Sequence, residues 1–289
     1  MKNFIIVNDI KDANAVTHNG KFHIDEVFGT ILLIKIFEKI SLARVSEIND
    51  SNSYNNKIIF DIGKGEFDHH QSDALTREDG IKYSSFGLLW KKYGKKYLKK
   101  IKCEDIDFAW KHFDNSIVKT IDKIDNFQIE KDCLKNYMIS NIIENFNPTW
   151  DSNTDSNIMF EKALDFANVI FDNEIANVLA IIKANNYLKN INIDNEEYIV
   201  LEKFIPYNDF INENDKKGKI NFIVFPSKRK GYEIRTILDR KRFPKDWYNL
   251  SENDFFIRYN IHGMLYCHSN GKLCIADNLE TVKKIINLT

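Results

Sequence analysis

Short apolar runs alternate with helix-period segments through the first half of the chain, and this alternation constrains the fold more than any other feature. Phe4-Ile-Ile-Val7 and Ala13 to Thr17 read as strands. Val27 to Ile40 reads as a mostly buried helix, with Val27, Ile31, Ile34 and Ile40 among its apolar positions. Leu42 to Val45 and Ile58-Ile-Phe60 follow as short strands, the second running into Asp61 and Gly63. Strands alternating with helices imply βαβ units, because a parallel neighbour is reached only through a crossover. In Phe86 to Ile101, the residues Leu89, Tyr93, Tyr97 and Ile101 share a helix face, with Gly94 as a potential break. Two lysine stripes run beside it, Lys91, Lys95, Lys99 and Lys92, Lys96, Lys100. They read either as a solvated face or as a track for phosphates.

A long helical pattern without Pro or Gly spans Ile158 to Leu188, and after it the grammar changes. Glu197 to Phe204, Ile220 to Phe225 and Tyr232 to Leu238 read as strands, the last two joined by the hairpin-like connection Pro226 to Gly231. Met264 to Cys267 and Leu273 to Ile275 precede a closing helix, for which Asp277 and Glu280 offer a capping box. The expected fold class is α/β: a mainly parallel, doubly wound sheet domain followed by a smaller α+β domain, linked by the long helix. The expected boundaries are residues 1–190, connector helix included, and 191–289.

At 289 residues and 43% hydrophobic content, the chain can bury a sizeable core, which excludes a wholly disordered polymer. With 41 Lys+Arg against 42 Asp+Glu, the net charge of -1 excludes a globally basic nucleic-acid coat. Local patches remain, namely Lys91 to Lys102, Lys228-Arg229-Lys230 and Arg240-Lys241-Arg242. Phe4 to Val7 is too short for a signal-peptide core, and no stretch approaches the ~20 apolar residues of a membrane span. Cys103, Cys133, Cys267 and Cys274 form no CxxC pair, which favours reduced thiols. The expectation is a soluble protein of the cytoplasm or another intracellular compartment, with no membrane partner.

Four of the seven histidines fall in two clusters beside aspartates. The first lies within THNGKFHIDE at 17–26 and the second within DIGKGEFDHHQ at 61–71, each directly after a strand candidate. Both would occupy loops at the carboxyl ends of parallel strands, where open α/β sheets build their sites. Burying Asp68, His69 and His70 together without a counter-ion would be costly. Imidazole and carboxylate donors without thiolate suit Mn²⁺, Mg²⁺, Fe²⁺ or Zn²⁺ in a hydrolytic centre. Ser84 and Ser85 read equally as phosphate contacts or as a helix cap.

These two runs, with SSFGLLW at 84–90, DKIDN at 122–126, NPTW at 147–150 and looser echoes in FPKDW at 243–247 and Leu265 to His268, resemble the Myg exonuclease family. That family, of melanocyte-proliferating-gene type, is a divergent branch of the DHH phosphoesterases. The resemblance implies two divalent ions, with manganese first and magnesium or zinc as alternatives. It implies that His18, His23 and Asp61 hold one ion, while Asp25, Asp61, His69 and Asp125 hold the other. Asp122 competes with Asp125 for the last position. His70 would face substrate phosphate, and Asp68 would orient a neighbouring imidazole. The family's glycine- and histidine-rich C-terminal signature is not evident at His268 to Gly271, so His268, Arg240 and Arg242 stand only as candidates for substrate contact.

The implied activity is phosphodiester hydrolysis by a hydroxide that two metals activate. It would act as a 3′–5′ exonuclease on RNA, with DNA as an open alternative, and single-stranded nucleic acid or a short oligonucleotide would lie in a cleft between the domains. The rival readings are a hydrolase of short oligonucleotides, cyclic dinucleotides or pyrophosphate, and a non-catalytic, metal-stabilised RNA-binding module.

Overall fold

The computed structural model describes residues 3–48, 54, 56–71, 74–128, 138–191, 193, 197–228, 230–237 and 240–289. Cys133, Arg229 and Leu238 lie outside the described residues. Two compact units emerge, Met1–Ile182 and Lys183–Thr289.

In the first unit, β1 (Phe4–Val7), β2 (Ala15–His18), β3 (Ile40–Val45) and β4 (Ile58–Ile59) form a four-stranded sheet of order β1-β3-β2-β4. Every pairing in it is parallel. Side chains alternate across it as a strand requires. Ala15 and Leu42 enter the main core, whereas their neighbours Val16 and Ala43 join a small cluster with Ala13 and Ile59. That second face is covered by loop residues and by Ile10 of a 3-10 turn, Ile10–Asp12. Only seven residues connect β1 to β2, too few for a crossover helix. The doubly wound part of the expectation is therefore not met among the described residues.

α1 (Ile24–Ile36) follows β2, and all its residues except Lys35 are buried. The helix expected to reach Ile40 stops at Ile36, and Ile40 instead opens β3 opposite Phe4. A buried strand directly after a buried helix prolongs the apolar run, so periodicity alone misplaces the boundary. α2 (Ser85–Lys100) lies close to α1: a Cβ added at Gly29 would sit 2.9 Å from the Leu89 side chain. Gly94 does not break α2, since the indole of Trp90 covers the space a side chain would need. The lysine stripes form a solvated face with local partners: Lys92 meets Glu66 at 2.8 Å and Lys95 meets Asp107 at 2.6 Å.

α3 (Ile106–Phe113) runs through a π-helical stretch, Asp114–Val118, into α4 (Lys119–Asp125). Arg77 forks onto both oxygens of Asp114, at 2.6 and 3.0 Å. The same guanidinium reaches Asp122 through Nη2 at 2.6 Å and Nε at 3.0 Å. α5 (Ile139–Glu144) and the 33-residue α6 (Ser156–Leu188) follow. Phe160, Leu164, Ala167 and Phe171 of α6 join the first unit's core, while Ala184 and Leu188 join a core of the second.

The second unit holds β5 (Tyr198–Val200), β6 (Phe222–Pro226), β7 (Tyr232–Thr236), β8 (Met264–Cys267) and β9 (Leu273–Ala276), in the order β5-β6-β7-β9-β8. β5 and β6 are parallel and the other pairs antiparallel, with β6 and β7 forming the expected hairpin. Its helices are α7 (Asn208–Asn214), α8 (Glu252–Tyr259) and α9 (Leu279–Asn287). α9 is capped by Asn278, which accepts from the Thr281 N–H, and not by Asp277. The Asp277 N–H is still tied to the Gly263 carbonyl, so the helix begins one residue later than expected.

The Arg77 fork gives the first testable outcome. Replacing the guanidinium in Arg77→Met leaves Asp114 and Asp122 uncompensated, which is expected to lower stability by about 3–5 kcal/mol. Thermal melting would show it, and a melting temperature equal to the parent's would refute the role assigned to the fork.

Candidate metal centre

The centre is assembled where β2 and β4 end. At the end of β2, His18 places Nδ1 2.9 Å from the Asn19 carbonyl. Its Nε2 lies 2.9 Å from Glu26 Oε1 and 3.2 Å from Asp61 Oδ2. α1 starts within one further turn of chain, with His23 at its N-cap donating a backbone N–H to Glu26 Oε2 at 2.9 Å. Asp25 and Glu26 thus occupy the helix's first turn, where the macrodipole favours negative charge, and both are fully buried.

After β4 the chain makes a tight loop. Asp61 has φ +60°, a conformation that holds in a non-glycine residue only when its surroundings enforce it. Here its N–H donates to the Phe67 carbonyl at 3.0 Å, while the Lys64 N–H donates to Asp68 Oδ2 at 2.7 Å. These bonds fold the segment back and return Asp68-His69-His70 beside Asp61. Asp61 then faces two imidazoles with opposite oxygens, Oδ2 toward His18 and Oδ1 toward His69 Nε2 at 3.2 Å.

His69 Nε2 is also 3.1 Å from Asp125 Oδ2, at the end of α4, and 3.9 Å from Asp25. Its other nitrogen lies 3.4 Å from Asn126 Oδ1. The Asn126 amide is oriented by its own donation to the Asp122 carbonyl at 2.9 Å. His70 differs. Its side chain is 60% exposed, and its Nδ1 is 2.9 Å from Asp68 Oδ1.

The charges are strongly coupled. Burial opposes protonation of His18, but contact with Asp61 and Glu26 outweighs it and lifts the imidazole to about 11. Burial, with Asp25 and Asp61 alongside, pushes Glu26 upward. Burial and the Asp25 charge do the same to Asp125. Against burial, His18 and His69 hold Asp61 down. Burial is likewise outweighed at Asp68, which hydrogen bonds from His70 and Lys64 hold at about 2.

These residues fit divalent cations. Asp25 Oδ1, Glu26 Oε1 and Asp61 Oδ1 are buried and accept no hydrogen bond among the described residues, although imidazole nitrogens lie 2.9 Å from the second and 3.2 Å from the third. Four overlapping sets bring their donor atoms within 4.8 Å: His18, His23, Glu26; Asp61, His69, His70; His23, Asp25, Asp125; and Asp25, Glu26, Asp61. Oxygen and imidazole donors of this kind suit manganese, magnesium or zinc.

All six residues expected to hold metal, His18, His23, Asp25, Asp61, His69 and Asp125, enter these sets. Asp122 does not face the cluster, because its oxygens receive the Ser84 N–H, the Ser84 hydroxyl and Arg77. For Ser84, the cap is the alternative that the contacts favour. Ser84 and Ser85 are both fully buried, with Ser84 capping α2 and Ser85 donating its hydroxyl to Asp25 at 2.7 Å, so neither is open to a phosphate. Arg240 and Arg242 also serve their own unit. The first pairs with Asp215 and the Ile220 carbonyl, and the second donates to the Asn270 carbonyl at 2.8 Å. His268 lines a cavity of the second unit.

Glu26 and the orienting Asn126 escaped the sequence reading as site residues. The available signal for Glu26 was its neighbourhood: an acid at the start of a helix apolar on every side must be buried, and a buried acid needs a partner.

The MYG1 exonuclease family model, described as an uncharacterised protein family (UPF0160), matches residues 14–289. The chain belongs to the MYG1 exonuclease family. A MYG1 protein of Chlamydia pneumoniae is 27% identical over 94% of this chain and 95% of its own length. One from Dictyostelium discoideum is 24% identical, covering 91% and 92% respectively. A yeast MYG1 protein, from Saccharomyces cerevisiae, is 22% identical over 94% of each. No solved structure matched. Membership of the MYG1 exonuclease family supports a nuclease-type hydrolase with a nucleic-acid substrate. Among the described residues, no helix is long and apolar enough to cross a membrane.

Two outcomes follow from this geometry. Asp125→Asn is expected to lower bound metal, measured by elemental analysis, with little change in melting. Asp122→Asn should lower melting while leaving metal content intact, and the reverse pattern would exchange the two roles. Second, His18 retains its proton up to about 11, whereas a metal ligand must be neutral. Metal binding near pH 8 should therefore expel protons, and affinity should climb with pH. Calorimetry in two buffers of different ionisation enthalpy measures the release, and identical heats in both would remove His18 from the ligand set.

Proposed function

We propose that the chain is a metal-dependent phosphodiester hydrolase that shortens single-stranded RNA from its 3′ end and also accepts DNA. The observation that carries the reading is Asp61, whose two oxygens face two imidazoles, each backed by buried carboxylates. That arrangement suits a carboxylate shared by two cations. His18, His23 and Glu26 would hold one, and Asp25, His69 and Asp125 the other. The choice of RNA, the polarity and the preference for manganese rest on the motif resemblance to Myg-type DHH phosphoesterases, and the family name supports the nuclease class.

When bound, divalent ions would supply positive charge for the phosphoryl transition state and make attacking water more acidic. The chain's own residues position the reaction. Asp68 accepts from His70 Nδ1 and raises the imidazole's affinity for a proton, and in the imidazolium form Nε2–H donates toward a phosphoryl oxygen, where charge develops. Asn126 fixes the ring of His69, the outer support on which metal affinity depends. Beside the cluster lies a pocket of about 450 Å³, lined by His23, His69, His70, Asp125, Phe127 and Lys21 among others. Phe127 is 95% exposed and offers a ring face to a terminal base.

The test is a ladder assay on 5′-labelled RNAs of graded length with Mn²⁺, Mg²⁺, Zn²⁺ or chelator. Stepwise loss from the 3′ end, abolished by chelator, is expected. Glu26→Gln and Asp61→Asn should lose metal, and turnover should fall beyond the ten- to hundredfold typical of outer-support changes. His70→Ala should lose turnover with its metal content intact. Internal cuts, or activity that survives chelation, would overturn the reading. Better cleavage of dinucleotides or pyrophosphate than of twelve-residue strands would assign a small substrate instead.

A further inference from the structure

We propose that the open half of the second unit's sheet is a stacking surface for single-stranded nucleic acid. The proposal rests on the reading that the substrate is a nucleic acid and names where its bases are held, apart from the metal cluster.

The sheet has two unequal faces. β6, β7, β8 and β9 send Val224, Ile234, Cys267 and Cys274 into one closed core with Phe255 and Val282. The opposite side chains of β5 and β6, Ile199, Ile223 and Phe225, pack into a second core with α7. On that second face, β7, β9 and β8 present Glu233, Arg235, Leu273, Ile275 and Tyr266, which border a cavity of about 920 Å³. Every lining residue belongs to the second unit. The register aligns Phe225, Glu233, Ile275 and Tyr266 in one row across four strands, with Arg235 opposite Leu273 in the next.

The chemistry of this face is specific. Phe204 is 49% exposed and Tyr266 36%, so aromatic rings remain accessible. The Phe204 and Phe225 ring centroids lie 5.2 Å apart, and the Arg235 guanidinium is 5.2 Å from each. Glu233 holds Arg235 through Nε and Nη2, at 3.0 and 2.8 Å, which keeps the cation over the rings. Lys203 and Lys228 are exposed on the same lining. Three cations thus face one carboxylate around accessible rings and aliphatic side chains. An acidic peptide would satisfy the charge but leave the rings without flat partners. A chain of phosphates carrying bases satisfies both, by stacking and by charge.

The experiment measures binding of the full chain to a fluorescein-labelled ten-nucleotide RNA by anisotropy, with chelator present to prevent cleavage. Phe204→Ala and Tyr266→Ala should each weaken binding by about five- to a hundredfold, the range for removing one stacking ring. Phe204→Tyr should restore most of the loss. Lys228→Ala should reduce the slope of log affinity against log salt by about 0.7. Circular dichroism would verify folding, and the exposed Tyr266 is an independent variant if Phe204→Ala is unstable. Binding equal to wild type in both alanine variants, displacement of the RNA by polyglutamate as readily as by unlabelled RNA, or no binding by the wild type would overturn the proposal. The two readings fail separately. A chain that cleaves RNA, with both alanine variants binding normally, sinks the stacking surface alone. A chain that binds through this face but cleaves no phosphodiester with any metal sinks the nuclease alone.

Discussion

Burying Asp25 and Glu26 in the first turn of a helix enclosed on every side obliges the rest of the first unit to supply compensation. The α1 dipole and the His23 N–H meet part of it, and Ser85 meets another part by donating to Asp25. His18 and His69 bring the remaining positive charge, one from the end of β2 and one from the loop after β4. With Asp61 and Asp125 added, the acids outnumber the imidazoles around them, and three oxygens still have no donor. A charge imbalance of this kind in a fold stable enough to bury it is best balanced by cations. The parallel sheet matters because it brings both loops to the same edge.

A second polar frame, Arg77 with Asp114, Asp122 and Ser84, holds α2 against α3 and α4 without entering the metal cluster. The π-helical stretch makes it possible. Asp114 and Asp122 are eight residues apart, and in a regular α-helix they would diverge by roughly 80°. A π turn absorbs roughly one extra residue, so the two carboxylates align on the face that meets Arg77. The same helix then carries Asp125 to His69. Asp122 and Asp125 therefore do different work from adjacent turns: the first fixes the helix and the second points into the site.

Much of this was legible in the sequence because it depends on local pattern. Strand ends followed by His and Asp mark the two site loops whatever the distant packing does, and Asp61, His69 and their neighbours were read from them. What failed depends on partners far along the chain. Asp122 and Ser84 look as available as Asp125 until Arg77, some 45 residues away from Asp122, takes up the first carboxylate. Glu26 depends on a boundary: a helix that begins at Val27 leaves the acid in a loop, whereas the start at Ile24 places it inside a buried turn. Ile40 was misplaced for the converse reason, since an apolar helix end and a buried strand start look alike. The helices expected on both faces of the sheet failed on chain length between β1 and β2, which patterning does not weigh.

Charge distribution decides where a polyanion can be held. With a net charge of -1, the whole chain exerts little attraction on nucleic acid, so any affinity must come from local arrangement. The lysines of α2 are the densest basic run, but Lys92 and Lys95 face Glu66 and Asp107, and Lys100 donates to backbone carbonyls of α1. These three spend part of that run's field on the protein itself. Around the second unit's sheet, by contrast, Lys203 and Lys228 are exposed beside accessible rings, and the one carboxylate there, Glu233, fixes Arg235 over Phe204 and Phe225. Stacking is screened far less by salt than phosphate contact is, so such a face can retain a strand under ionic conditions that weaken a purely electrostatic track. A site for cations and a stacking surface for bases place different demands on a fold: the first needs buried, fixed charge, and the second needs exposed, flat, weakly charged surface. The parallel sheet with its enclosed helix meets the first demand, and the half-open mixed sheet meets the second.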